Sequence, residues 1–87
     1  MNSRTTRAFR ALLAKLPRSI RVEAKNAYKL FQENPTHPGL QFKCVQKKAK
    51  VYSVRITLDY RALGTLDGDE VVWMWIGSHA DYDKLLK

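Results

Sequence analysis

The sequence predicts an α+β fold: an N-terminal helical hairpin packed on an antiparallel sheet of about four strands, followed by a short C-terminal helix. Three observations carry this. Apolar residues recur at helical spacing through the first third of the chain, strand-like spacing takes over from Leu40 to Ile76, and Asn34-Pro35 and Pro38-Gly39 separate the two regimes. Consecutive strands joined by short turns pair antiparallel, and the apolar face of their sheet needs cover, which only the helices can supply.

In chain order, Arg4 to Leu16 places Phe9, Leu12, Leu13 and Leu16 at helical spacing, with Thr5 and Thr6 as candidate N-caps. Pro17 ends this helix, because a proline disfavours the helical conformation of the residue before it. The same ring suits the first turn of the next helix. There Ile20, Ala24, Ala27 and Phe31, with Tyr28 beside them, form an apolar stripe, while Arg21, Lys25 and Lys29 lie elsewhere on the surface. Asn34-Pro35 stops the second helix, and Thr36 to Gly39 is a loop. Whether Ser3 to Arg7 adds an edge strand ahead of the hairpin is left open by so polar a stretch.

Leu40 to Val45 reads as a strand with Leu40, Phe42 and Cys44 on one face and Gln41 and Lys43 on the other, and Gln46 to Lys50 as a basic turn. The next strand alternates most clearly. Tyr52, Val54, Ile56 and Leu58 fall on a core face, and Val51, Ser53, Arg55 and Thr57 on a working face. After Asp59, Tyr60 to Leu66 forms a third strand, and Asp67-Gly68 supplies residues that tolerate positive φ in a tight turn. Val71 to Ile76 returns with Val71, Trp73 and Trp75 against Val72, Met74 and Ile76. Apolar on both faces, it should be central in the sheet, with something outside it packed against it.

Eighty-seven residues suffice for a single module spanning 1–87 and not for two separate cores. The hydrophobic share of 45% excludes a chain that stays disordered for want of a core. No run approaches the roughly 20 apolar residues of a membrane span, and no secretory signal is visible, so a cytoplasmic protein is expected. The lone Cys44 cannot close an internal disulfide and reads as a small buried hydrophobe. With so few Cys and His no zinc site can be assembled, and no cofactor is expected. The net charge of +8 is a strong field for so small a chain and favours phosphate-rich or acidic partners, nucleic acid or an acidic peptide.

Chemistry concentrates in the second half. Ser78-His79-Ala80-Asp81 matches a capping box, which starts a helix with His79 in its first turn and Tyr82 on the same face. A helix N-terminus favours a bound anion, and an imidazole beside a phosphate is placed to take or give a proton. A histidine here can equally pack against Trp73 or Trp75, or only decorate the helix start. Arg55 and Arg61 on their strands call for a bidentate partner, either an acid, with Asp59 nearest in sequence, or a ligand phosphate. Lys43, Lys47, Lys48 and Lys50 add charge suited to RNA, or are simply solvated. Core is the expected fate of Trp73 and Trp75, although one of them could stack a base.

Together the two N-terminal helices, Asn34-Pro-x-x-Pro-Gly-Leu40, a strand holding Val54-Arg-Ile56, the pair Tyr60-Arg61, an apolar strand and Ile76-Gly-Ser-His-Ala-Asp-Tyr-Asp83 resemble the RelE/ParE superfamily of bacterial toxin-antitoxin toxins over nearly the whole chain. The resemblance implies a compact sheet under a helical hairpin, an acidic or flexible antitoxin wrapped around the toxin, and one of two activities. RelE-like members cut messenger RNA on the ribosome without a metal, and ParE-like members inhibit DNA gyrase. A degenerate member would only bind its antitoxin. For an RNA-cutting member, the resemblance implies that Arg55 and Arg61 bind the scissile phosphate, His79 serves as base or acid, and Tyr82 orients or stacks.

Overall fold

The polar stretch at the N-terminus forms a strand, and this changes the character of the sheet. In the computed structural model, which describes residues 1–86, β1 (Asn2–Thr5) pairs in parallel with β5 (Glu70–Ser78). Between them lie α1 (Arg7–Ala14), α2 (Arg18–Glu33), a 3-10 turn at Pro38–Leu40, β2 (Lys43–Gln46), β3 (Val51–Thr57) and β4 (Tyr60–Asp67). Helix α3 (His79–Leu86) follows β5. The strand order is β1-β5-β4-β3-β2. The sheet is therefore five-stranded and mixed, where an antiparallel sheet of about four was expected, and β5 gains the neighbour on each side that its doubly apolar sequence demanded.

Polar side chains do not prevent β1 from pairing, because backbone bonds and specific contacts hold it. Arg4 Nε donates to Glu70 Oε1 at 2.8 Å, and Tyr28 Oη donates to the Ser3 carbonyl at 2.9 Å. Thr6 then caps α1, its Oγ1 accepting from Phe9 N at 3.1 Å and donating to the Trp73 carbonyl at 3.0 Å. One residue thus ends β1, starts α1 and fastens both to β5. The helix begins at Arg7 rather than Arg4 for this reason.

Helix α1 packs on β5 and α2 on β3, leaving between them an apolar groove of about 410 Å³ rimmed by Arg21 and Lys25. The expected stripe of α2 faces inward, with Ala24, Ala27 and Phe31 buried. Phe31, 1% exposed, sits at the core's centre, edge-on to Phe42 at 4.9 Å and to Trp73 at 5.3 Å. Val54, Ala62, Val71 and Ile76 supply the sheet's side of that core.

Three local expectations need correction. Leu40 is buried, yet it belongs to the 3-10 turn. Gln41 takes a left-handed φ of +47° after it, so regular pairing starts only at Lys43. Cys44 is exposed, not buried, because β2 is the sheet's outer edge and the helices cover β3 and β5 instead. Finally, Trp73 and Trp75 do not share a face. Gly64 pairs with Trp73 and the adjacent Leu63 with Trp75, so Met74 is an extra residue in the ladder. That bulge reverses the alternation, leaving Trp73 in the core with Ile76 and turning Trp75 to the opposite face with Leu63.

The turn between β4 and β5 is close to expectation. Asp67 pairs with Glu70, so Gly68 and Asp69 form a two-residue loop, and only Gly68 carries positive φ, at +63°. Glycine at the first loop position is the requirement of a II′ hairpin.

Candidate functional site

The face of the sheet away from the helical hairpin is where the predicted arginines meet. Alternation puts Arg55 on that face of β3, opposite Val54 and Ile56, and Arg61 on the same face of β4, opposite Ala62. The register makes them direct cross-strand partners, and the next position in the row is Gly77 on β5. The neighbouring row runs Lys43, Ser53, Leu63, Trp75. Lys43, Arg55, Arg61 and Trp75 thus share this side of the sheet, set around Ser53, Leu63 and Gly77, which are themselves buried.

Neither arginine pairs with an acid among the described residues. Arg61 Nη1 donates to the carbonyls of Thr57 at 2.7 Å, Tyr60 at 3.1 Å and Leu58 at 3.2 Å, bracing the β3–β4 turn. Its Nε and Nη2 make no hydrogen bond among the described residues, and Arg55 makes none at all there. Asp59, nearest in sequence, does not act as a partner; its backbone carbonyl instead accepts from His79 N at 2.6 Å. Two half-buried like charges directly across a ladder destabilise it unless something anionic lies between them. The Arg55 guanidinium and the Nε and Nη2 edge of Arg61 keep their N–H donors for such an anion.

The bond from His79 N to Asp59 ties the start of α3 to the same turn that Arg61 braces. Because Tyr60 pairs with Ser78 and Arg61 with Gly77, the backbones of Arg61 and His79 come together at one end of the sheet. Ser78 caps α3 as expected, its Oγ accepting from Asp81 N at 3.2 Å. The reciprocal bond from the Asp81 carboxylate does not form among the described residues, since Ser78 stays within β5 and pairs with Tyr60.

One partner of His79 was not anticipated. Its Nδ1 lies 3.1 Å from Asp83 Oδ2, one helical turn on. An ionised carboxylate only accepts, so in this contact Nδ1 is the donor, and Nε2 has no hydrogen-bond partner among the described residues. The signal was present in the sequence as His79 and Asp83 four residues apart on a helix. The His79 ring also meets Tyr82 edge-on at 5.7 Å. Tyr82 is buried, so it supports the imidazole and does not present a stacking surface of its own.

The lysines divide. Lys43 pairs with Ser53, two residues from Arg55, and joins the arginine face. Lys47, Lys48 and Lys50 occupy the β2–β3 turn, at the far end of β3, with Lys50 at a left-handed φ of +55°. Arg55 lies five residue steps along the strand from Lys50, about 17 Å at ~3.3 Å per step, so this turn forms a separate cationic patch. Among the described residues no three His, Cys, Asp or Glu side chains are grouped to hold a metal ion, and no helix is long and apolar enough to cross a membrane.

Solved structures share this architecture. A chain of the RelB-RelE antitoxin-toxin complex from Methanococcus jannaschii superposes with a TM-score of 0.75 at 17% identity, over 95% of this chain and 98% of that one. A chain of the toxin-antitoxin complex RelBE2 from Mycobacterium tuberculosis gives 0.68 at 24% identity, over 90% and 96%. YafQ from E. coli gives 0.70 at 14%, over 93% and 96%. At these identities the likeness is one of fold. No curated protein matches the sequence. Residues 18–84, well over half the chain, match the ParE-like toxin domain, and the chain therefore belongs to that toxin family, within the RelE/ParE superfamily that its motifs resemble.

Proposed function

We propose that this protein is the toxin of a type II toxin-antitoxin system and a metal-independent, ribosome-dependent endoribonuclease that cuts messenger RNA and so stops translation. The observation that carries this reading is the Arg55–Arg61 cross-strand pair, free of any acidic partner among the described residues and joined through the β3–β4 turn to His79. Two adjacent guanidinium groups with open donors suit a phosphodiester, whose charge grows as the reaction proceeds.

In the proposed reaction the ribose 2′-oxygen attacks the adjacent phosphorus while the bond from phosphorus to the 5′-oxygen breaks. The 2′-hydroxyl loses its proton to a base, and the departing 5′-oxygen receives one from an acid. His79 Nε2 serves one of these transfers, held for it by Asp83 at Nδ1. Arg55 and the free edge of Arg61 stabilise the extra charge on the phosphoryl oxygens. Lys43 extends the cationic track beside them, and Lys47, Lys48 and Lys50 contact RNA backbone farther along the strand.

The solved RelB-RelE and RelBE2 toxin-antitoxin complexes support an antitoxin partner for this chain as well. An acidic or flexible segment that covers the arginine face would neutralise the charge and occlude the site together. The family match to ParE-like toxins favours a second reading, a toxin that inhibits DNA gyrase without cutting RNA, with the same basic face serving as the contact.

Inducing the chain alone in a bacterium and mapping the 5′ ends of messenger RNA separates the two. The expected result is cuts in translated messages during growth arrest, abolished by Arg61→Ala and His79→Ala while antitoxin binding persists. Intact messages with DNA damage would support the gyrase reading.

A further inference from the structure

Trp75 is turned away from the core that holds Trp73, and the Met74 bulge is the device that does so. Without the extra residue the indole would join Trp73 under the helices. With it, Trp75 pairs with Leu63 on the arginine face and stays half-buried there. The ring is also held in place. A Cβ on Gly77 would fall 2.5 Å from Trp75 Cζ2 and 2.8 Å from Cη2, so the six-membered ring lies directly over the glycine backbone. Gly77 is the cross-strand partner of Arg61. The indole therefore covers the row position beside Arg61, over a backbone about one strand spacing (~4.8 Å) from β4. Its Nε1–H makes no hydrogen bond among the described residues.

We propose that Trp75 is a base-stacking platform, receiving the base of a nucleotide whose phosphate is held by Arg55 and Arg61. An immobilised indole next to two guanidinium groups that have no acidic partner among the described residues complements both halves of a nucleotide, its apolar π-face and its anion. Every base has a π-face, so this platform tolerates sequence and sets where a nucleotide sits more than which one is chosen. The inference rests on the RNA reading above. The same ring borders a cleft formed with Leu12, Leu16 and Leu85, and a role confined to walling that cleft is the rival to be separated.

The test uses the intact chain and two uncleavable 2′-O-methylated oligonucleotides of equal length, one bearing bases and one abasic. Binding is read by titration and by quenching of tryptophan emission, with thermal melts confirming that each variant is folded. The base-bearing oligonucleotide is expected to quench the wild-type emission, and Trp75→Leu to weaken its binding by about 5- to 150-fold. Trp75→Phe keeps most of the affinity, and neither variant alters binding of the abasic oligonucleotide. Gly77→Ala, which pushes the ring from its seat with the indole still present, weakens the base-bearing oligonucleotide selectively as well. Equal losses for both oligonucleotides, or no loss in Trp75→Leu, would overturn the stacking role and leave the RNA reading intact. Failure of the wild type to bind either one would overturn the stacking role together with the phosphate site at Arg55 and Arg61, while the 5′-end mapping above decides the RNA reading separately.

Discussion

Replacing Arg55 with Gln should make the free protein more stable, contrary to the usual result of mutating a half-buried strand residue. Arg55 and Arg61 face each other directly across the ladder and neither has an acidic partner among the described residues. Two unit charges at ~6 Å in water repel by about 0.7 kcal/mol, inside the ~0.2–1 kcal/mol range of cross-strand pairs. For a chain of this size that corresponds to a rise in Tm of about 3–6 °C. Salt supplies the control. At ~0.01 M the screening length is ~30 Å and the repulsion is nearly whole, whereas at ~1 M it is ~3 Å and most of the gain should vanish, to below ~1 °C. Thermal melts followed by circular dichroism at both salt concentrations, with Arg55→Lys as the charge-preserving control, measure this directly. A lower Tm for Arg55→Gln at low salt, or a gain that persists unchanged at high salt, would refute the idea that the two guanidinium groups share an uncompensated field. RNA cleavage should fall in the same variant, so that stability and activity move in opposite directions.

Phe31→Ala removes the ring on which Phe42 and Trp73 converge and should cost about 3–5 kcal/mol, enough to leave much of this small domain unfolded in a denaturant titration. Asp83→Asn leaves the His79 ring without its carboxylate. Both side chains are about half exposed, so the melting temperature should barely move, while RNA cleavage drops by about 10- to 100-fold if the contact orients the imidazole. Cys44 should react with a thiol reagent in the native protein at a rate close to that of the unfolded chain, since it is exposed at the sheet's edge.

Much of this structure is legible in the sequence because the physics that writes it is local. Alternation over Tyr52 to Ile56 separates core from open face, Ala24, Ala27 and Phe31 mark the inward stripe of α2, and Gly68 marks the hairpin. What escaped is decided by pairing between distant segments. β1 has no apolar pattern and exists through its ladder to β5 and the Arg4–Glu70 contact. The Met74 bulge lies in a strand that is apolar on both faces, so a period-2 pattern gives no sign of where one residue is inserted. At the site the residue types were readable. Arg55 and Arg61 as direct neighbours, Asp59 bonded through its backbone, and Lys47 to Lys50 at the far end of β3 all follow from register, which no single strand records. Asp83 was within reach of helical spacing alone.

The chemistry of the cut ends tests the proposed mechanism most directly. Purified toxin added to ribosomes carrying a defined message should yield an upstream fragment ending in a 2′,3′-cyclic phosphate and a downstream fragment beginning with a 5′-hydroxyl. Both should be lost in Arg61→Ala and His79→Ala. Fragments beginning with a 5′-phosphate, or cleavage undiminished in those two variants, would contradict attack by the 2′-oxygen on a phosphate held by Arg61 and served by His79.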